Sequence, residues 1–267
     1  MKTINKKLNK LKSVLENMDS ALIAYSGGVD STFLLKIAHN ILGDKVIAVT
    51  ASSLTYPKEE LKEAKRLAKL IGVRHIIISS EETKNKNFKN NPKNRCYYCK
   101  KELFSKLKDI AKKEKISYVL DASNYDDIKD FRPGMKAINE LNIKSPLKDA
   151  KLKKQDIRFL SKKLGLTTWD KPSFACLATR FPYGNKITNK KLIIVNKAEN
   201  YLKKLGIKQL RVRHHNTIAR IETSKNYFSL LLKKSKNIIK KFKKLGFSYI
   251  TLDLEGYRTG SMNEVLR

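Results

Sequence analysis

The sequence predicts an α/β protein: a parallel-sheet domain covered by helices, followed by a smaller α+β domain. Three observations carry that reading. Short apolar runs at residues 21–25, 46–50, 75–78 and 118–121 alternate with amphipathic stretches, as buried parallel strands separated by helices do. The first run ends in Ser26-Gly27-Gly28-Val29-Asp30-Ser31 and passes at once into a helical pattern. After Pro146 the rhythm changes, and from Thr188 a new block of helix and alternating strands begins.

Taken in order, Ala21–Tyr25 is continuous and apolar, which suits a strand covered on both faces. Residues 30–41 follow as a helix and 46–50 as the next strand. Over 58–71, Leu61, Ala64, Leu67, Ala68 and Ile71 recur on one helical face. The strand at 75–78 leads into a polar loop running through Arg95, then a helix from about Glu102 to Lys113, then the strand at 118–121. A helix is expected over 154–164, followed by an irregular segment containing Pro172, Pro182 and Gly184. The last block reads helix (189–204), strand (208–214), strand (217–223), helix and strand (248–253). Arg211-Val212-Arg213 and Ile218-Ala219-Arg220-Ile221 alternate as half-buried strands do. The expected division is residues 1–168 for the first domain, 169–185 for a linker carrying Cys176, and 186–267 for a second, smaller domain.

Composition bounds the function classes. A chain of 267 residues with 41% apolar content can bury a proper core. No run approaches the roughly 20 apolar residues of a membrane span, and Met1–Lys7 lacks the apolar stretch of a signal peptide. Three cysteines are an odd count and no disulfide framework, so a cytoplasmic protein is expected, with no membrane partner. The net charge of +33 would attract polyanions, which keeps nucleic acid among the conceivable partners. The basic residues are scattered lysines, however, and the densest run, Lys233 to Lys244, interleaves Ile238, Ile239 and Phe242 at helical spacing. That is the solvated face of a packed helix.

The Ser-Gly-Gly-Val-Asp-Ser turn is suited to an anion. Gly27 and Gly28 let the backbone approach a phosphate closely, and the amides and dipole of the following helix favour negative charge. Ser26 and Ser31 add hydroxyls, and Asp30 is placed to bind Mg²⁺ or to order the loop. Ligands of such sheets sit at the carboxyl ends of the strands, which brings Ala24, Val29, Thr50, Ser52, Ser123 and Asn124 toward the same site. The second constellation is Cys96-Tyr97-Tyr98-Cys99-Lys100 with the remote Cys176. From the residues alone, a dithiol redox pair, a three-cysteine zinc site and a metal cluster all remain open. Lys100 is placed to reach ATP phosphates or to stand in solvent.

The loop resembles the pyrophosphate-binding loop of the adenine nucleotide alpha-hydrolase (PP-loop) superfamily, which adenylates substrates and releases pyrophosphate. Further blocks resemble the LarE-type ATP-dependent sulfur transferases: Asp126-Asp127-Ile128-Lys129-Asp130-Phe131-Arg132-Pro133-Gly134, Ser145-Pro146-Leu147, and Trp169-Asp170-Lys171-Pro172-Ser173 through Cys176, Arg180, Pro182, Tyr183 and Gly184. Arg211-Val212-Arg213-His214-His215, Ala219-Arg220-Ile221-Glu222 and Leu254 to Ser261 complete a match that runs nearly end to end. The resemblance implies a two-step reaction, in which a substrate carboxylate is adenylated by ATP with Mg²⁺ and a sulfur nucleophile then expels AMP. The implied acceptor is a small carboxylated nucleotide, a pyridinium biscarboxylate mononucleotide. Arg211 and Arg213 would grip its phosphate, with Arg180, Glu222 and Arg258 in the same pocket. Members with only the cysteine matching Cys176 give up its sulfur and end as dehydroalanine. In the three-cysteine branch, Cys96, Cys99 and Cys176 would instead hold a 4Fe–4S cluster that carries sulfide at its open iron. Related three-cysteine enzymes thiolate tRNA, which is the alternative acceptor. The family also implies a homo-oligomer.

Overall fold

The computed structural model describes residues 2–129, 133–172 and 175–266. Asp130, Phe131, Arg132, Ser173 and Phe174 of the motifs above lie outside the described residues. The chain order is α1 (Lys2–Glu16), β1 (Ala21–Ala24), α2 (Val29–Leu42), β2 (Val46–Ser52), α3 (Lys58–Ile71) and β3 (Arg74–Ser79). Then follow α4 (Lys86–Lys89), α5 (Arg95–Lys113), β4 (Tyr118–Leu120), α6 (Gly134–Glu140), α7 (Pro146–Asp149) and α8 (Lys154–Lys163). The remainder is α9 (Asn189–Lys204), β5 (Leu210–His215), β6 (Ile218–Thr223), α10 (Phe228–Lys233), α11 (Ser235–Lys244) and β7 (Tyr249–Leu252). The chain falls into two compact units, residues 1–82 with 94–174, and residues 83–93 with 175–267.

In the first unit, four parallel strands lie in the order β3-β2-β1-β4. Because side chains alternate across a strand, each strand feeds two cores. Ala21 and Ile23 of β1 join Val46 and Ala48 of β2 and the helical Leu11, Leu15, Phe33 and Ile157 on one face. Leu22, Ile47, Val49 and Val119 meet Phe104, Leu107 and Ile138 on the other. The sheet is therefore covered on both sides, as the continuous apolar strands predict, and its polar loops collect at the strand ends.

In the second unit, β5 pairs antiparallel with β6, and β6 pairs parallel with β7. Leu210, Val212, Ala219 and Ile221 pack with Ala198 and Leu202 of α9 and with Ile238 and Phe242 of α11. Alternation then assigns Arg211, Arg213, Arg220 and Glu222 to the opposite, polar face.

Two expectations are corrected. The helix expected from about Glu102 begins at Arg95, so Cys96 and Cys99 stand on its first two turns and not in a loop. The buried stripe Phe104, Leu107 and Ala111 nucleates that helix, and the Cys-Tyr-Tyr-Cys turn propagates from it with no apolar periodicity of its own. The segment before Arg95 also contains a short helix, α4, capped by the Asn85 side chain, which accepts from the Asn87 amide at 2.8 Å.

Candidate active site

In the first unit, the nucleotide loop leaves β1 at its carboxyl end and runs into α2. Gly27 adopts φ +61°, a region that costs a side-chain-bearing residue strain. A Cβ there would also lie 3.0 Å from the Ala64 backbone, so the loop sits directly on α3. Ser26 Oγ lies 3.0 Å from Ser31 Oγ, and the Ser31 hydroxyl donates to the Gly28 carbonyl at 3.3 Å. Gly28 caps α2 in an extended conformation with no side-chain acceptor on the helix's first amides. That leaves the positive end of a 14-residue helix to be met by an anion. Val29 is buried and anchors the turn, and Ala24 is half-buried at the end of β1.

Asp30 stands in the first turn of α2. Its Oδ2 accepts from Lys154 Nζ at 2.6 Å and lies 3.5 Å from Asn124 Nδ2, whereas its buried Oδ1 has no hydrogen-bond partner among the described residues. A carboxylate oxygen left unsatisfied beside a phosphate loop fits a hard, oxygen-seeking cation such as Mg²⁺. Asn124 follows β4, its own amide bound to Asp127 Oδ2 at 3.0 Å and its side chain accepting from the Asp126 amide at 2.9 Å. Thr50 is buried, and its hydroxyl donates to the Tyr25 carbonyl at 2.7 Å. The 2.7 Å contact from that oxygen to His75 Nε2 must therefore use an imidazole N–H, which fixes the neutral Nε2–H tautomer. Burial, assisted by the Lys65 charge, pushes His75 down to about 4. Burial likewise pushes the Tyr25 phenol up to about 12. Ser52 closes β2, with its carbonyl bound by the Ser80 amide at 3.0 Å.

Cys96 and Cys99 lie three residues apart on α5 and so share a helical face. Cys96 is exposed and Cys99 half-buried, and neither is in a disulfide. Two soft thiolate donors one turn apart fit iron or zinc. Among the described residues of either unit, no group of three or more His, Cys, Asp or Glu side chains stands ready to hold a metal. Lys100 Nζ lies 3.6 Å from Asp121, a buried carboxylate at the end of β4 that also accepts from Ser123 and Ser145. The Lys100 stem packs beneath Gly134, where a Cβ would meet its Cδ at 2.7 Å.

In the second unit, Cys176 opens a 3-10 turn over residues 177–180. Its Sγ accepts the Ala178 amide at 3.3 Å, which fixes the sulfur at the start of the turn. The fully buried Arg180 fixes this turn from inside, donating to the carbonyls of Ala175 at 2.9 Å and Cys176 at 3.3 Å. Its remaining nitrogens meet both oxygens of Glu199 at 2.8 and 3.1 Å. Burial alone would raise the Glu199 carboxyl, but the Arg180 charge and the Val212 amide hold it below its ordinary value. Glu199→Ala takes the Glu199 carboxylate away from the buried Arg180 guanidinium. It should cost about 3–5 kcal/mol in urea unfolding, and Glu199→Gln less.

Arg213 donates to both Glu222 oxygens at 2.9 and 2.8 Å, to Ser261 Oγ at 2.7 Å and to the Thr179 carbonyl at 2.6 Å. Arg220 adds a third donor to Glu222 at 2.8 Å. Arg211, directly opposite Glu222 in the strand pairing, holds the Leu210 carbonyl at 2.7 Å and lies over the Tyr257 ring at 5.2 Å. Burial, then the Arg180 charge, lowers its guanidinium from the ordinary value. Arg258 is partly exposed and pairs with Glu264 at 3.0 Å and Glu255 at 2.9 Å. His214 is packed between Phe181 and Phe247 at 5.4 and 5.3 Å, an apolar setting that keeps it neutral.

The structure thus collects Ala24, Ser26, Gly27, Gly28, Val29, Asp30, Ser31, Thr50, Ser52, Asn124, Cys96, Cys99 and Lys100 in the first unit. Cys176, Arg180, Arg211, Arg213, Glu222 and Arg258 belong to the second. Sequence reasoning missed Lys154, which holds Asp30, and Asp121, which holds Lys100. It also missed Glu199 behind Arg180, and the Tyr56, Glu60 and Lys171 side chains around the loop. Only Lys171 carried a signal, as part of the Trp-Asp-Lys-Pro-Ser motif.

The NAD synthase family profile matches residues 3–118. An uncharacterized protein of Synechocystis is 43% identical over 98% of this chain and 99% of its own length. The pyridinium-3,5-bisthiocarboxylic acid mononucleotide synthase of Lactiplantibacillus plantarum is 39% identical over 100% of this chain and 97% of its own length. An uncharacterized protein of Methanocaldococcus jannaschii is 34% identical over 97% and 98%, respectively.

Proposed function

This chain belongs to the family of the pyridinium-3,5-bisthiocarboxylic acid mononucleotide synthases, and on that premise we propose that it activates a pyridinium mononucleotide carboxylate with ATP and exchanges an oxygen for sulfur. The carboxylate oxygen attacks the ATP α-phosphorus, an acyl-adenylate forms and pyrophosphate leaves. A hydrosulfide-equivalent sulfur then attacks the acyl carbon and expels AMP, leaving a thiocarboxylate and releasing a proton. The observation that carries the reading is the uncapped start of α2 with the unpartnered Asp30 Oδ1 beside it. Loop amides fixed in advance stabilise charge on the leaving pyrophosphate without reorganising at the moment of reaction. Mg²⁺, when bound at Asp30, would supply further neutralisation of the phosphates.

In the second unit, the Arg211 and Arg213 guanidiniums are assigned to the acceptor's phosphate. A desolvated Arg211 held near Arg180 and Arg213 gains from an incoming dianion. Glu222 and Ser261 hold the Arg213 guanidinium in place, and Arg258 is assigned to the rim of that pocket. Arg180 presents Cys176 by gripping the carbonyls on either side of the Ala175–Cys176 junction. A 4Fe–4S cluster held by Cys96, Cys99 and Cys176 would supply an iron position open to sulfide. The Ala178 amide on the Cys176 sulfur favours a second reading as well, because a sulfur held in one position also suits a cysteine that donates its own sulfur.

The test is direct. With ATP, Mg²⁺ and pyridinium-3,5-biscarboxylic acid mononucleotide, the purified chain should release pyrophosphate and AMP in proportion to the thiocarboxylate formed. Pyrophosphate release indifferent to that acid, or none at all, overturns the assignment.

A further inference from the structure

We infer that Lys171 is a positioning residue of the nucleotide loop, holding the Gly27–Gly28 peptide so that its amide faces the phosphate side; the inference rests on the ATP-activating reading above. Lys171 Nζ donates to the Gly27 carbonyl at 3.1 Å and pairs with Glu60 at 2.7 Å. Its backbone is itself tethered, since Arg158 of α8 donates to the carbonyls of Trp169 at 2.6 Å and Lys171 at 2.8 Å. One peptide earlier, the Tyr56 hydroxyl donates to the Ser26 carbonyl at 2.6 Å. Two consecutive carbonyls of the loop are therefore pinned by side chains.

In a trans peptide the carbonyl and the next amide point in opposite directions. The chain has no cis bond among its described residues. Pinning Gly27 O thus turns the Gly28 amide away from Lys171, toward Ser26 Oγ at 3.4 Å and the open start of α2. Pinning Ser26 O does the same for the Gly27 amide. Such control is needed because glycine peptides flip readily, and Gly27 already sits at φ +61°. The scaffold is one helix: Glu60 and Ala64, four residues apart on α3, share a face, and Ala64 underlies Gly27. Lysine suits the task because its ammonium has three donors, enough for a carbonyl and a carboxylate together.

The ion pair with Glu60 separates positioning from simple attraction. If Lys171 acted as a positive charge for phosphate, removing the Glu60 charge would tighten ATP binding. If it acts by orientation, loosening its anchor weakens binding. Titration of Mg²⁺-ATP into the full-length chain, with steady-state kinetics on the same samples, distinguishes the two. Lys171→Met is expected to weaken ATP binding about tenfold or more and to raise KM for ATP in step. Lys171→Arg, which can still bridge Gly27 and Glu60, should recover most of the loss, and Glu60→Gln should weaken binding about threefold. Wild-type affinity in Lys171→Met, or tighter binding in Glu60→Gln, overturns the inference. Thermal unfolding is followed for each variant, and should Lys171→Met fail to fold, the sign of the Glu60→Gln change decides. A wild-type chain that binds no ATP defeats the activating reading itself and takes this inference with it.

Discussion

Replacing Cys176 with alanine is expected to reduce thiocarboxylate formation at least about a thousandfold while leaving the first-turnover burst of substrate-dependent pyrophosphate release within a few-fold of the parent. The two halves of the reaction rest on different units. In the proposed reaction, adenylation depends on the loop, Asp30 and Mg²⁺ at the first unit, whereas Cys176 belongs to the second. Sulfur delivery depends on Cys176, whether as ligand or as donor. The alanine variant should therefore stall with activated acid and released pyrophosphate, detected as a burst without thiocarboxylate. Cys96→Ala divides the two sulfur sources. Under cluster-borne sulfide it abolishes transfer and iron binding together. Under donation by Cys176 it preserves one turnover, and intact-protein mass spectrometry then shows loss of the elements of H₂S from Cys176. Full thiocarboxylate yield from Cys176→Ala would remove this residue from the reaction.

The sequence and the structure agree where a periodic signal exists. Helix 58–71 is found at its expected bounds, because Ala64, Leu67 and Ala68 form a buried stripe that spacing alone discloses. The helix over 189–204 is equally legible, with Thr188 as its N-cap accepting the Lys191 amide at 3.3 Å. The loop was legible because two glycines, two hydroxyls and a carboxylate stand in adjacent positions. What spacing could not disclose are partners far apart in sequence. Asp30 and Lys154 are 124 residues apart, and Gly27 and Lys171 are 144 apart, yet both pairs bond at short range. Arg180 is the instructive case among the arginines. Its residue type points to anion binding, but its environment, fully buried against Glu199, is set by α9 packing that no local pattern encodes. Cys96 and Cys99 show the reverse: their spacing suggested ligands, but only the buried stripe downstream reveals that they ride on a helix.

Asp30→Ala should depress acid-dependent pyrophosphate release by about 10²–10³-fold, the scale on which loss of a single preorganised electrostatic group acts. Two effects combine. The substitution removes the unpartnered Oδ1, the atom best placed to meet a divalent cation. It also strands Lys154, whose ammonium loses its 2.6 Å carboxylate partner, while its backbone amide still donates to Asp126 at 2.8 Å. A merely stranded lysine would be a stability effect, modest because the pair is partly exposed and screened. Lys154→Met separates the two. It breaks the same ion pair but leaves the carboxylate, so it should change activity far less than Asp30→Ala. Mn²⁺ titrated in the presence of ATP and followed by electron paramagnetic resonance gives a readout independent of turnover. Binding should be retained in Lys154→Met and weakened at least tenfold in Asp30→Ala. Equal losses in both variants would mean that the ion pair, and not the free carboxylate oxygen, is what the loop requires.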